Sequence, residues 1–248
     1  MPALPSPWHL GMLCAFDTET TGPDPESARL VTACVSWVDG TGKTPPETRE
    51  WLVDPGCDIP EAAQAVHGIT TEHARDNGGS PNWALGEIAE ELLRAALTMA
   101  PVVAFNASFD LTLIDRESRR HSLDPFGPAL TAAHGLVIDP HVLDKALDPF
   151  RKGKRTLGAV AAHYGVRAGQ AHDAAGDAIT AARVAWAIAS RNPRIAAMPA
   201  ADLHAYQVRS KHEQAASYRD YLIKQGKPAQ VDGAWPFRQW AGTAEAAA

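Results

Sequence analysis

The chain has 248 residues, 45% of them hydrophobic and 21% charged, with a formal net charge of −6. That size suits one well-buried domain with a short appendage, and the acidic balance excludes the global basic footprint of an avid duplex-DNA binder. Local basic patches still leave nucleic acid open as a substrate. Cys14, Cys34 and Cys57 show no C-x-x-C spacing, so neither a disulfide framework nor a zinc site is expected; Cys14 and Cys34 sit in apolar runs that suit buried thiols. Residues 1–8 hold three prolines and no apolar core of a signal peptide. No run approaches the ~20 apolar residues of a membrane span, and a cytoplasmic protein is expected.

In chain order, 11–17 reads as a short buried strand ending in polar residues. A second strand covers 28–38, with Val31, Cys34, Val35, Trp37 and Val38. Asp39-Gly40-Thr41-Gly42 signals a turn, and 48–53 completes a meander. Pro60 opens a short helix over 61–66, and Thr70-Thr71-Glu72 starts another. Residues 82–99 carry a helical period, with Trp83, Leu85, Ile88, Leu92, Leu93 and Leu97 as the apolar stripe. A buried strand at 102–105 leads into a helix over 108–120, and 136–138 is a further short strand. Thr156 is placed to cap a helix closed by Gly165, and 174–190 is a long Ala-rich helix. After Pro193 and Pro199 a last helix spans 200–224. Residues 226–248 are rich in Pro, Gly and Ala and are expected to be loose apart from Trp235, Phe237 and Trp240, which are expected to dock on the domain surface. The pattern predicts an α/β fold with a mixed sheet of about five strands flanked by helices. The domain is placed over 9–192 and a helical C-terminal extension over 193–248.

Four short segments carry the chemistry. Asp17 and Glu19, two apart near a strand end, point to one face, and such carboxylates repel unless a cation lies between them. Asp110 stands at the start of a helix that follows a buried strand, where α/β proteins place ligands. His172 lies in a loop, and Asp177 about one turn into the next helix. Singly these are common strand-end and helix-cap residues. Together, Asp17, Glu19, Asp110 and Asp177 are four hard oxygen ligands for two divalent metals, Mg²⁺ or Mn²⁺, with His172 as general base for phosphodiester cleavage. The run Arg151-Lys152-Gly153-Lys154-Arg155 is read either as a phosphate-holding segment or as a solvated loop. Asp139 is read as a structural strand-end residue, not a further ligand.

Phe16-Asp17-Thr18-Glu19-Thr20-Thr21-Gly22, Asn106-Ala107-Ser108-Phe109-Asp110 and His172 with Asp177 resemble, in order, the three motifs of the DEDDh 3′–5′ exonucleases. The resemblance is greatest to the proofreading epsilon subunit of bacterial DNA polymerase III and its stand-alone relatives. Val66-His67-Gly68-Ile69-Thr70 and Val137-Ile138-Asp139-Pro140 also resemble family segments, and the likeness covers about 10–190. It implies a ribonuclease H-like fold, two Mg²⁺ or Mn²⁺ ions, and release of nucleotides from 3′ ends. It also implies that Thr18, Thr21 and Gly22 line the terminal nucleotide, that His67 lies at the edge of the substrate cleft, and that Asn106 and Phe109 bind substrate. Phe105-Asn106 replaces the His-Asn of many relatives, which implies a packing change. The residues after 190 carry no polymerase- or clamp-binding segment, so a stand-alone enzyme of DNA repair or replication acting on single-stranded or frayed DNA ends is expected. An RNA 3′-trimming enzyme and a catalytically silent nucleic-acid-binding module are the alternatives, and the extension suits a homodimer contact in any of them.

Overall fold

A five-stranded mixed sheet forms the centre of the computed structural model, which describes residues 7–169, 173–240 and 242. Strands β1 (Met12–Thr20), β2 (Leu30–Asp39) and β3 (Glu47–Leu52) make the expected antiparallel meander. On the other side of β1, β4 (Val102–Val103) and β5 (Val137–Ile138) add in parallel, giving the order β3-β2-β1-β4-β5. Helices α1 (Glu61–His67), α2 (Thr71–Asn77) and α3 (Pro81–Leu97) lie between β3 and β4, and α4 (Ser108–Arg120) and α5 (Phe126–Ala132) join β4 to β5. Then come α6 (Pro140–Leu147), α7 (Leu157–His163), α8 (Ala174–Arg191), α9 (Pro193–Ala196) and α10 (Ala200–Lys224). No described helix is long and apolar enough to cross a membrane.

The alternation of β1 divides the core into two layers. Cys14 and Phe16 face a cluster with Leu85, Ile88 and Leu92 of α3 and Leu111 and Ile114 of α4. Leu13 and Ala15 face the opposite cluster, built on Ala178, Ala182, Ala185 and Ile188 of α8. The small side chains of α8 let it lie close across β1 and β2. Hydroxyl caps start several helices where the sequence places them. Thr70, Ser80 and Thr156 accept from His73, Trp83 and Ala159 backbone N–H groups. Gly165 follows α7 at φ +65°, the left-handed turn expected after a helix.

Some expectations need correction. On α3, Leu85, Ile88 and Leu92 are buried, but Trp83 is 50% and Leu97 81% exposed. The true stripe is completed by Ala84 and Ala95, together with Glu91, whose carboxylate accepts from Trp37 Nε1 at 2.9 Å and Arg49 at 2.7 Å. Strand β1 runs three residues past Asp17, so both Asp17 and Glu19 lie within it. Helices α5 and α6 and the short α9 are absent from the sequence reading.

The C-terminal segment is held by more than its three aromatics. Trp235 is buried in the α3–α4 layer and Phe237 packs against Phe126 with ring centroids 6.0 Å apart. Arg238 N donates to Thr112 Oγ1 at 2.9 Å, and the Arg116 guanidinium donates to the carbonyls of Arg238 and Gln239. Trp240 lies under Arg116 and Arg119, each about 4.7 Å or less from its ring. Removing a buried indole costs about 3–5 kcal/mol. Trp235→Ala is therefore expected to lower unfolding stability by that amount in a urea titration, and a loss under about 1 kcal/mol would show that the segment is not anchored there.

Candidate active site

The geometry of β1 sorts the motif residues between two helices. Asp17 and Glu19 continue the face of Leu13 and Ala15, which is the face covered by α8. Asp177, in the first turn of α8, meets them there: one oxygen each of Asp17, Glu19 and Asp177 lies within 4.8 Å of the others. Thr18 points the other way, toward α4, and donates to Asp110 Oδ1 at 2.6 Å. Asp110 is buried in the first turn of that helix. A register shift between Glu19 and Thr20 leaves Val31 of β2 opposite the irregularity, a bulge of the kind that re-aims side chains beside sites.

Electrostatics tie the four carboxylates together. Burial, followed by the charges of Asp110, Asp177, Glu19 and Asp173, pushes the Asp17 carboxyl well above the usual range. Burial raises Glu19 to about 7, helped by Asp177 and Asp173. Burial also raises Asp110 to about 7, against the Thr18 hydrogen bond that pulls it down. In the folded metal-free protein these groups keep protons that the unfolded chain releases near pH 4. Their contribution to stability is thus present at low pH and is lost as pH rises toward 7. The metal-free melting temperature is expected to fall by about 5 °C or more between roughly pH 4.5 and 7.5, and saturating Mn²⁺ at the upper pH should restore it. A flat profile by differential scanning fluorimetry, with no response to Mn²⁺, would show that the carboxylates do not share one site.

The remaining motif residues are placed as follows. Thr21 and Arg29 exchange two hydrogen bonds, Thr21 N to Arg29 O at 3.0 Å and Arg29 N to Thr21 Oγ1 at 2.9 Å, which fixes the turn after β1. Thr20 Oγ1 donates to Gly22 O at 2.7 Å. His67 ends α1 ahead of Gly68 at φ +78°, and its Nδ1 accepts from Ile69 N at 3.1 Å. Asn106 takes a left-handed φ of +66°, and Phe109 is half-buried in the first turn of α4. Phe105 packs on His141, ring centroids 5.2 Å apart. His172 lies outside the described residues. Its described neighbours are fixed: Gly169 N donates to Thr180 Oγ1 at 3.0 Å, and Asp173 caps α8 by accepting from Gly176 N at 3.2 Å.

Two features escaped the sequence reading. Asp139 is buried and accepts from Asn106 N and Ala107 N at 3.0 Å each and from His141 N at 2.9 Å. It therefore pins the turn that delivers Asp110 as well as capping α6. Only the Asp-Pro start of α6 was a legible signal. The run 151–155 also changes meaning. Arg151 and Arg155 hold the fully buried Asp144 at 2.5 and 2.6 Å, which leaves Lys152 and Lys154 as its exposed cations.

The exonuclease family model (RNase_T) matches residues 14–185, from β1 into α8. The chain belongs to the DEDDh-type 3′–5′ exonuclease family. A DNA polymerase III subunit epsilon-like protein of Rhodobacter capsulatus is 38% identical over 104 residues, covering 41% of this chain and 14% of that protein. The fold is also that of E. coli exonuclease I solved with a dT13 oligonucleotide, at a TM-score of 0.61 and 20% identity over 75% of this chain and 42% of the other. Exonuclease I of Methylocaldum szegediense gives 0.62 and 20% identity, covering 85% and 46%. The mixed sheet is thus the ribonuclease H-like fold of these exonucleases, on a chain spanning less than half of each of these relatives.

Proposed function

We propose that the chain is a metal-dependent 3′–5′ exonuclease that hydrolyses phosphodiesters at DNA 3′ ends, with a preference for single strands. The observation that carries this reading is the gathering of Asp17, Glu19 and Asp177 within 4.8 Å, with Asp110 held beside them through Thr18. These oxygens fit a hard divalent cation: they are half-buried, close together, and costly to leave charged without one. Two ions of Mg²⁺ or Mn²⁺ bound there supply Lewis-acid stabilisation of the charge that develops at phosphorus. His172 takes a proton from the attacking water at an imidazole nitrogen. Thr18, Thr21, Gly22, His67, Asn106 and Phe109 shape the place of the terminal nucleotide. Gly22 suits this role, because a side chain there would meet no protein atom within 4 Å.

The preference for DNA is supported by the relatives, one named for DNA polymerase III and one solved with oligo-dT. The segment after the family match, from α9 onward, is proposed as an accessory to a stand-alone enzyme of DNA repair or turnover. The test is digestion of end-labelled single-stranded DNA, duplex DNA and RNA. Shortening of the DNA single strand from its 3′ end with Mg²⁺ or Mn²⁺, and none in EDTA, is expected. Undiminished cleavage in excess EDTA rules the mechanism out, and faster cleavage of RNA reassigns the substrate.

A further inference from the structure

A groove of about 1890 Å³ runs between α10 and the C-terminal segment, and Asn106 and Ser108 of the β4–α4 turn form part of its wall. It therefore opens beside the segment that delivers Asp110. Along α10 its lining follows helical spacing through His204, Val208, Lys211 and Tyr218, so one face of the helix is given to it. The register is fixed from behind. Gln207 accepts from Asp139 N at 2.6 Å, and Gln214 Nε2 donates to Val142 O at 3.0 Å, on either side of Lys211.

The lining is cationic on an acidic protein. It holds Arg209, Lys211, Arg219 and Arg238 against Glu213 and Asp232. Asp232 is occupied by Ala234 N and Gln239 N, at 2.8 and 3.3 Å, and Arg238 by Asp24 at 2.9 Å. Arg219 donates to Val231 O at 3.3 Å. Among the described residues neither Arg209 nor Lys211 has an ion-pair partner. Lys211 instead adds to the positive charge around Lys145, whose ammonium is pushed down first by burial and then by Lys211. Lys211 also faces the buried Asp139 carboxylate, and the four cations of the lining outnumber its two carboxylates, which favours an anion there. Tyr218, 55% exposed, stacks on Tyr221 with ring planes 16° apart, which leaves an aromatic face within the groove. Cations that track a backbone beside an exposed aromatic are the parts of a single-strand site.

We propose that this groove carries the single strand of DNA on the 5′ side of the terminal nucleotide. Arg209 and Lys211 meet its phosphates and Tyr218 stacks on a base. Lys211 and Tyr218 are about 10 Å apart along the helix, a span of a few nucleotide steps. The proposal rests on the exonuclease reading and assigns α10 and the C-terminal segment to substrate hold.

The test is equilibrium binding in EDTA, by fluorescence anisotropy, of a labelled oligo(dT) of about 20 nucleotides and of a labelled trinucleotide. The full chain is compared with its Arg209→Ala/Lys211→Ala variant. The variant is expected to bind the long strand about tenfold more weakly at ~0.1 M salt. Its log–log salt slope should be shallower by about 1.4, since each phosphate contact on a single strand contributes about 0.7. Trinucleotide binding should change less than about twofold. Unchanged affinity and slope for the long strand overturn the proposal, and so does a parallel loss for the trinucleotide. No turnover is needed, so these outcomes stand apart from the cleavage assay. A groove without DNA and a chain without nuclease activity are separate results.

Discussion

Asp17→Asn is expected to abolish nuclease activity, by about 10³-fold or more, while making the metal-free protein more stable at about pH 7.5. The two effects have one cause. Asp17 lies among Asp110, Asp177, Glu19 and Asp173, and burial together with those charges holds its carboxyl well above the ordinary range. Without cations the folded chain must either keep a proton there or bear the repulsion, and the unfolded chain faces neither. An amide of the same shape removes that penalty, and at about 2–4 °C per kcal/mol for a chain of this size a gain of about 1–3 kcal/mol raises the melting temperature by roughly 2–12 °C. The gain should shrink as pH falls below about 7 and be least below about pH 4, where the wild-type carboxyls are protonated in both states. It should also disappear in saturating Mn²⁺, which stabilises the wild type and not the variant. Retained activity would place the metal site elsewhere. Loss of activity with lower stability would mean that Asp17 is a structural residue.

Much of this arrangement is legible in the sequence, because it rests on local rules. The alternation of Leu13, Ala15, Asp17 and Glu19 places the carboxylates on the α8 side, and Thr156 and Gly165 bracket α7 by ordinary capping chemistry. What stayed hidden depends on partners far along the chain. Asp139 reads as a strand end, but two of its donors, Asn106 N and Ala107 N, are 33 and 32 residues away. Trp235 is expected to dock on the domain surface, but the sequence does not show that it is buried in the core, with its indole nitrogen reaching Asp139 across 96 residues. Arg151 and Arg155 look like free cations until Asp144 is seen to be buried beneath them. Helix α5 opens on Phe126-Gly127-Pro128, a sequence of turn-forming residues. It is helical because Phe126 and Leu130 are buried and Gly127 N donates to Asp115 Oδ1 at 2.8 Å. Exposed Trp83 and Leu97 mislead in the opposite direction, since hydrophobicity alone does not decide which side of α3 faces the sheet.

His172→Ala is expected to slow cleavage by about 10²–10⁴-fold without loss of metal or substrate binding. The residue precedes Asp173, which caps α8 one turn before Asp177, and Gly169, ahead of it, is tied to Thr180 of the same helix. The described residues on either side of it, Gly169 and Asp173, are thus both tied to α8, the helix that delivers a carboxylate to the site. Proton transfer from water needs a base whose pKa lies near the working pH, and an imidazole in water titrates near 6.5. Removing it leaves Asp17, Glu19, Asp110 and Asp177 in place, so Mn²⁺ should still raise the melting temperature of the variant. Deleting a metal ligand would not give that combination. The acidic limb of the wild-type pH–rate profile should flatten in the variant. Ionisation of water at the metal site also falls in this range, so the comparison of the two profiles, more than either alone, identifies the base. Near-wild-type turnover of His172→Ala across roughly pH 6–9 at saturating metal would make His172 a loop residue and leave the proton to another acceptor.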